Sequence, residues 1–143
     1  VTVEIRRVRG DAEMAAALDV RHRVFCVEQG VPKREEIDGR DGEAIHLVAV
    51  EDGRVLGTCR LLFVDRTVQF SRLAVDPSAR RRGIATRLLQ AADAEALAAG
   101  ARRIVLHAQT YARDLYLADG YEPRGHVFVE AGIEHIAMEK RLA

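Results

Sequence analysis

The segment that most constrains this chain is the run Phe70 to Thr86, in which a strand passes through a short loop and opens a long amphipathic helix. Phe70-Ser71-Arg72-Leu73-Ala74-Val75 reads as strand and breaks at Asp76-Pro77. Arg80-Arg81-Arg82-Gly83-Ile84-Ala85 then leads into a helix with Ile84, Leu88, Leu89, Ala92 and Ala96 on one stripe, closed by Gly100. The first turn of a helix carries unpaired N–H groups and the positive end of its dipole. Gly83 lets an anion approach the backbone, Ala85 keeps the next turn narrow, and three arginines add local positive charge. Such a turn is a phosphate cradle. It lacks the Gly-Lys-Ser/Thr of a nucleotide-binding P-loop and the Gly-x-Gly-x-x-Gly of a dinucleotide fold.

Around this core the hydrophobic pattern predicts an α/β chain with a mixed sheet, in the order β-α-(α)-β-β-β-α-β-α-β-β. A strand is expected over 1–8, then a helix capped by Asp11 with Met14, Ala17, Leu18, Val24 and Phe25 on its apolar side. Lys33 to Gly42 reads as a solvated polar loop or a broken second helix. Strands follow at Ile45 to Val50 and Arg54 to Val64 around Asp52-Gly53, a hairpin signal, and at Val68 to Val75. Arg103 to Gln109 is a strand and Ala112 to Ala118 a short helix, and a last pair of strands turns at Ala131-Gly132.

The 143 residues suit one domain, expected to span 1–143, with 48% hydrophobic and 31% charged residues. Lys plus Arg and Asp plus Glu both number 22, so a nucleic-acid partner is not expected. Cys26 and Cys59 are too few for a disulfide framework and lack metal-ligand spacing, so no metal is expected. No signal-peptide pattern or long apolar run appears, which gives the expectation of a cytoplasmic protein without a membrane partner.

Two motifs carry a resemblance to a family. Arg80, Gly83 and Ala85 after Leu73-Ala74-Val75 match Arg/Gln-x-x-Gly-x-Gly/Ala, the coenzyme motif of the GNAT superfamily of acyl-CoA-dependent N-acyltransferases. Downstream, Gln109-Thr110-Tyr111-Ala112-Arg113-Asp114-Leu115-Tyr116 and Gly120-Tyr121 are similar to its Asn-x-x-Ala-x-x-Phe-Tyr and Gly-Phe. Gln109, Leu115 and Tyr121 depart from that pattern. Arg23 to Gln29, Asp38-Gly39, His107 to Gln109 and Gly132 to Ile136 resemble the ElaA-like branch, so the likeness covers nearly the whole chain.

The resemblance implies a mostly antiparallel sheet of about seven strands flanked by about four helices, with two strands splayed around the pantetheine of acetyl-CoA. It implies coenzyme contacts at Leu73, Ala74, Val75, Arg80, Arg81, Arg82, Gly83, Ile84, Ala85, Thr86, Gln109 and Arg113. Tyr116 would be the general acid toward the departing thiolate, and a backbone N–H near Val75 would stabilise the oxyanion. On periodicity alone Tyr116 is a core tyrosine. The base is open among Glu28, Glu36, His107, Glu130, His135 and a water chain, with Glu28 and His107 ranked first. Gln69 stands where some relatives carry a basic Glu. The acceptor would be a primary amine of a small molecule or peptide, and a homodimer is the default assembly. Two other functions compete: a non-catalytic acyl-CoA sensor, and an acyl-homoserine-lactone-synthase-like enzyme, which resembles the chain around Arg23, Phe25, Glu36, Asp38, Asp41 and Arg60.

Overall fold

A computed structural model describes residues 2–142. Its seven strands form one sheet in the order β1-β2-β3-β4-β5-β7-β6. They are β1 (Glu4–Arg7), β2 (Ile45–Glu51), β3 (Arg54–Val64), β4 (Thr67–Val75), β5 (Arg103–Gln109), β6 (Glu122–Glu130) and β7 (Ile133–Arg141). Four helices accompany them: α1 (Gly10–Arg21), α2 (Lys33–Glu36), α3 (Ile84–Ala98) and α4 (Arg113–Ala118). All neighbouring strands pair antiparallel except β4 and β5. This is the mixed α/β architecture that the hydrophobic pattern predicts.

Both predicted hairpins form on left-handed pairs, Asp52 and Gly53 at φ 51° and 75°, and Ala131 and Gly132 at φ 53° and 76°. Two consecutive positive φ angles match the right-handed twist of the flanking strands. The predicted first strand is shorter than its pattern, and Val1 lies outside the described residues.

The sheet buries one core on each face. On the first, the α3 residues Ile84, Leu88, Leu89, Ala92 and Ala96 pack with Leu47, Leu61, Phe70 and Leu106. On the second, Ala17, Val20 and Val24 pack with Val48, Val50, Val55 and Ala74. Gly57 of β3 brings α3 close to the sheet, because a Cβ there would lie 3.1 Å from Ile84 Cγ2 and 3.3 Å from Leu88 Cδ1. Gly100, at φ 78°, ends α3 as expected.

Three local expectations need correction. Asp11 does not cap α1; the Glu13 carboxylate accepts the Arg9 backbone N–H at 2.8 Å instead. The expected helix does reach Val24 and Phe25, but beyond Arg21 it is no longer an α-helix: it widens into a π-helical stretch, His22–Glu28, which holds Val24 in the core. The 33–42 segment is not simply solvated, because Glu36 on α2 is 3% exposed. Its carboxylate is paired with Arg21, itself 1% exposed, at 2.6 Å.

We expect Gly57→Val to lower stability by about 1–3 kcal/mol, the usual cost of overpacking. Urea unfolding checks this; an unchanged midpoint would show that α3 moves off the sheet freely.

Candidate active site

Strands β4 and β5 share only three residue pairs, Thr67 with Arg103, Val68 with Ile104 and Gln69 with Val105. Beyond Gln69 they part. β4 stays with β3 and β5 stays with β7, so the facing edges of 70–75 and 106–109 have no strand between them. Unpaired backbone N–H and C=O groups require a partner when they leave water. A ligand with amides of its own can supply one, as an added strand does.

The opening has a local cause. In the β3–β4 ladder Thr58 faces Ala74 and Arg60 faces Ser71, which leaves Arg72 and Leu73 opposite one residue of β3. This is a β-bulge, and Arg72 sits in it at φ 58°. A bulge bends its strand and increases the local twist. The bent end of β4 then leads to Asp76, which accepts from the Ser78 N–H at 3.0 Å and from Arg23 Nη2 at 2.8 Å. That carboxylate fixes the turn into the cradle, a role the Asp-Pro-Ser sequence is suited to and that motif matching did not pick out.

The cleft between the strands measures about 1040 Å³. Leu73, Ala74, Val75, Arg80, Ala85, Gln109, His107 and Tyr116 line it; Glu28, Arg81, Arg82, Gly83, Ile84, Thr86 and Arg113 do not. Leu106 and Tyr116 reach it from the α3 side of the sheet. Val105, His107 and Gln109 alternate with buried Ile104, Leu106 and Ala108, and approach it from the opposite face. The gap therefore passes through the sheet and is open to groups from both faces.

At one end, Gly83 is the N-cap of α3 at φ 75°, with no side-chain cap on the helix. An added Cβ would meet nothing within 4 Å, so the backbone there faces open space. The three arginines differ. Arg80 is held by Glu28 at 2.5 Å and donates to the Val75 carbonyl at 3.2 Å. Arg82 pairs with Glu51. Arg81, exposed at φ 63°, has no carboxylate partner among the described residues. Glu28 is thus drawn to Arg80 rather than to the cleft, and that guanidinium lowers its proton affinity.

Tyr116 is 8% exposed and meets Tyr121 edge-on at 5.9 Å. Burial pushes its phenol above the usual tyrosine range. His107 is half-exposed, with Nδ1 3.1 Å from Glu130 Oε2 and its ring edge-on to Phe128 at 4.9 Å. His135 stacks on the same Phe128, and its Nδ1 lies 2.7 Å from the Ile133 carbonyl. Gln109 exchanges side-chain hydrogen bonds with Gln29 at 2.8 and 3.3 Å, and Gln29 also donates to the Tyr111 hydroxyl at 3.1 Å. Gln29 therefore ties the π-helical stretch to the end of β5, a link with no signal in the sequence pattern.

The carboxylates of 36–41 are neutralised by arginines from three elements. Arg60 grips Asp38 through two bonds of 2.8 Å, and Arg21 reaches Asp41 at 2.8 Å. Arg60 bonding holds the Asp38 carboxyl well below the usual range. Glu36, Asp38 and Asp41 therefore offer little free negative charge to a cationic acceptor, whereas the exposed Glu35 lines the cleft with no cation partner among the described residues. Among the described residues no group of three or more His, Cys, Asp or Glu could hold a metal ion, and no helix is long and apolar enough to cross a membrane.

Comparison with known proteins agrees with this geometry. The acetyltransferase (GNAT) domain family matches residues 13–142. The Bacillus subtilis N-acetyltransferase YjcF, itself uncharacterized, is 32% identical over 133 residues, covering 92% of this chain and 95% of the relative. An acyl-CoA N-acyltransferase from Pseudomonas aeruginosa superposes with a TM-score of 0.86 at 29% identity, covering 97% of this chain and 99% of the other. Escherichia coli ElaA shares the fold at a TM-score of 0.87 and 24% identity, with 97% and 99% coverage. A sheet parted between β4 and β5 and a family match over nearly all of its length lead to one conclusion: the chain belongs to the GNAT family of acyl-CoA-dependent N-acyltransferases.

Proposed function

We propose that the protein transfers the acetyl group of acetyl-CoA to a primary amine of a small molecule or peptide. The observation that carries this reading is the pair of unpaired strand edges leading to the open N-terminus of α3. Pantetheine amides suit the backbone edge of Leu73 to Val75, and the pyrophosphate suits the first turn at Gly83 to Ala85 with Arg81 beside it. Ile84 and Thr86 lie in that same turn and would contribute through their backbones, while Gln109 would first have to exchange its bonds with Gln29.

In the reaction, a neutral amine nitrogen attacks the thioester carbonyl; as the C–N bond forms and the C–S bond breaks, the nitrogen sheds one proton and the departing thiolate gains one, so the products are the amide and the free CoA thiol. A backbone N–H near Val75 faces the developing oxyanion. Tyr116 supports the thiolate. A free thiol titrates at about 8.5 and burial raises the phenol above the usual tyrosine range, so Tyr116 donates a hydrogen bond and shares its proton. His107 is favoured over Glu28 as the group that takes the ammonium proton before attack. Glu130 can accept from His107 Nδ1, which leaves Nε2 as the proton acceptor. Glu28 serves better as the carboxylate that orients Arg80.

The activity test is free-thiol release from acetyl-CoA across a panel of amines. Release dependent on the amine supports the reading; binding without release supports an acyl-CoA sensor. Turnover only with acyl-carrier-protein thioesters supports a lactone-synthase-like enzyme. Tyr116→Phe should lower kcat about 10²-fold or more while leaving the acetyl-CoA dissociation constant nearly unchanged. Unchanged turnover removes Tyr116 from the reaction.

Gly83→Val should weaken acetyl-CoA binding about tenfold, since a β-branched residue is poorly tolerated at a left-handed φ. Arg81→Ala should weaken it only about two- to fivefold, the scale of an exposed ion pair. Calorimetry returning the reverse order would mean that side-chain charge dominates the cradle.

A further inference from the structure

We propose that Arg72 is a positioning residue: its side chain, clamped by Glu36, holds the β4 bulge in its left-handed conformation and so aims the backbone of Leu73 to Val75 into the cleft. This rests on the acyl-CoA reading above.

A non-glycine residue at φ 58° inside a strand is held there against its own preference. The restraint is visible. Arg72 Nε donates to Glu36 Oε2 at 2.9 Å and to the Glu36 carbonyl at 3.2 Å; Nη2 donates to that carbonyl at 3.0 Å. Longer bonds reach the Glu35 carbonyl and Asp38 Oδ2, both at 3.4 Å. Glu36 is in turn fixed from behind, because Arg21 Nη2 and Nε hold its two oxygens at 2.6 and 3.0 Å.

The neighbouring residue is gripped as well. Arg60 Nε donates to Ser71 Oγ at 3.2 Å while its other nitrogens hold Asp38. Ser71, the last paired residue before the bulge, and Arg72 within it are therefore both linked to the segment of Glu36 and Asp38, which lines the cleft. Two of the three guanidinium nitrogens of Arg72, Nε and Nη2, are taken up by these acceptors. Its contribution acts through the backbone that follows it.

The discriminating property is that glycine accepts a left-handed φ and alanine does not. Both Arg72→Gly and Arg72→Ala remove the guanidinium, so a role in touching substrate, or in charge balance alone, predicts equal losses. The positioning role predicts different ones. CoA affinity is to be measured by calorimetry, at a temperature where circular dichroism shows each variant fully folded, so that stability does not enter the reading. We expect Arg72→Ala to raise the CoA dissociation constant about tenfold and Arg72→Gly to stay within about threefold of the parent. The kcat for thiol release should fall in the same order. Arg72→Gln, a shorter uncharged side chain that cannot make the Nη2 bonds, should behave like alanine and replaces it if that variant does not fold. Equal losses in the glycine and the alanine or glutamine variants, or a larger loss in glycine, overturn the proposal while leaving the acyl-CoA reading intact. No CoA binding by the parent chain overturns both.

Discussion

The parting of β4 from β5 organises everything else in this molecule. Two parallel strands that pair over three residues and then diverge expose two backbone edges inside a sheet, where unsatisfied N–H and C=O groups would otherwise be costly. Such an arrangement persists only if the divergence is held open and the edges stay accessible to solvent or a ligand. Here the bulge at Arg72 bends β4, β7 pairs with β5 along its whole length, and Asp76 directs the chain into α3. Because Gly57 lets α3 pack closely on β3, the open first turn of that helix arrives at one end of the gap. Cradle and cleft are two ends of one device.

The charge network beside the cleft is the second element of this device. Arg21, Arg60 and Arg72 face Glu36, Asp38 and Asp41, three cations against three anions. Arg21 and Glu36 are nearly excluded from water, where removing one partner of a buried pair costs about 3–5 kcal/mol. Such a cluster adds little net stability over an apolar replacement, but it is directional, and its bonds reach Ser71 just before the bulge and Arg72 within it. It also changes the electrostatic reading of the acceptor side. The three paired carboxylates give an ammonium group little net attraction, which leaves Glu35 as the carboxylate of this stretch that lines the cleft without a cation partner among the described residues.

Periodicity and turn chemistry made most of the fold legible. The α3 stripe is buried at all five predicted positions, and Asp52-Gly53 and Ala131-Gly132 both close hairpins. These features are local, so one stretch of chain determines them. The bulge is not: Arg72 looks like any polar strand residue, and its conformation follows from Glu36, thirty-six positions earlier in the chain. The same holds for Arg21 and Glu36, whose burial contradicts the polar appearance of their segments. Motif spacing brought Tyr116, Gln109 and the cradle into view, but the partners of Glu28 and Gln109 depend on packing between distant elements.

In the proposed function, pantetheine and pyrophosphate meet backbone, along β4 and at the start of α3. Amide hydrogen exchange followed by mass spectrometry, with and without CoA, tests this most directly. Slowed exchange is expected in peptides covering Leu73 to Asp76 and Arg82 to Thr86, with little change in β1, β2 or the β6 edge. Protection absent from both segments at saturating CoA, or confined to side-chain-rich loops elsewhere, would contradict it.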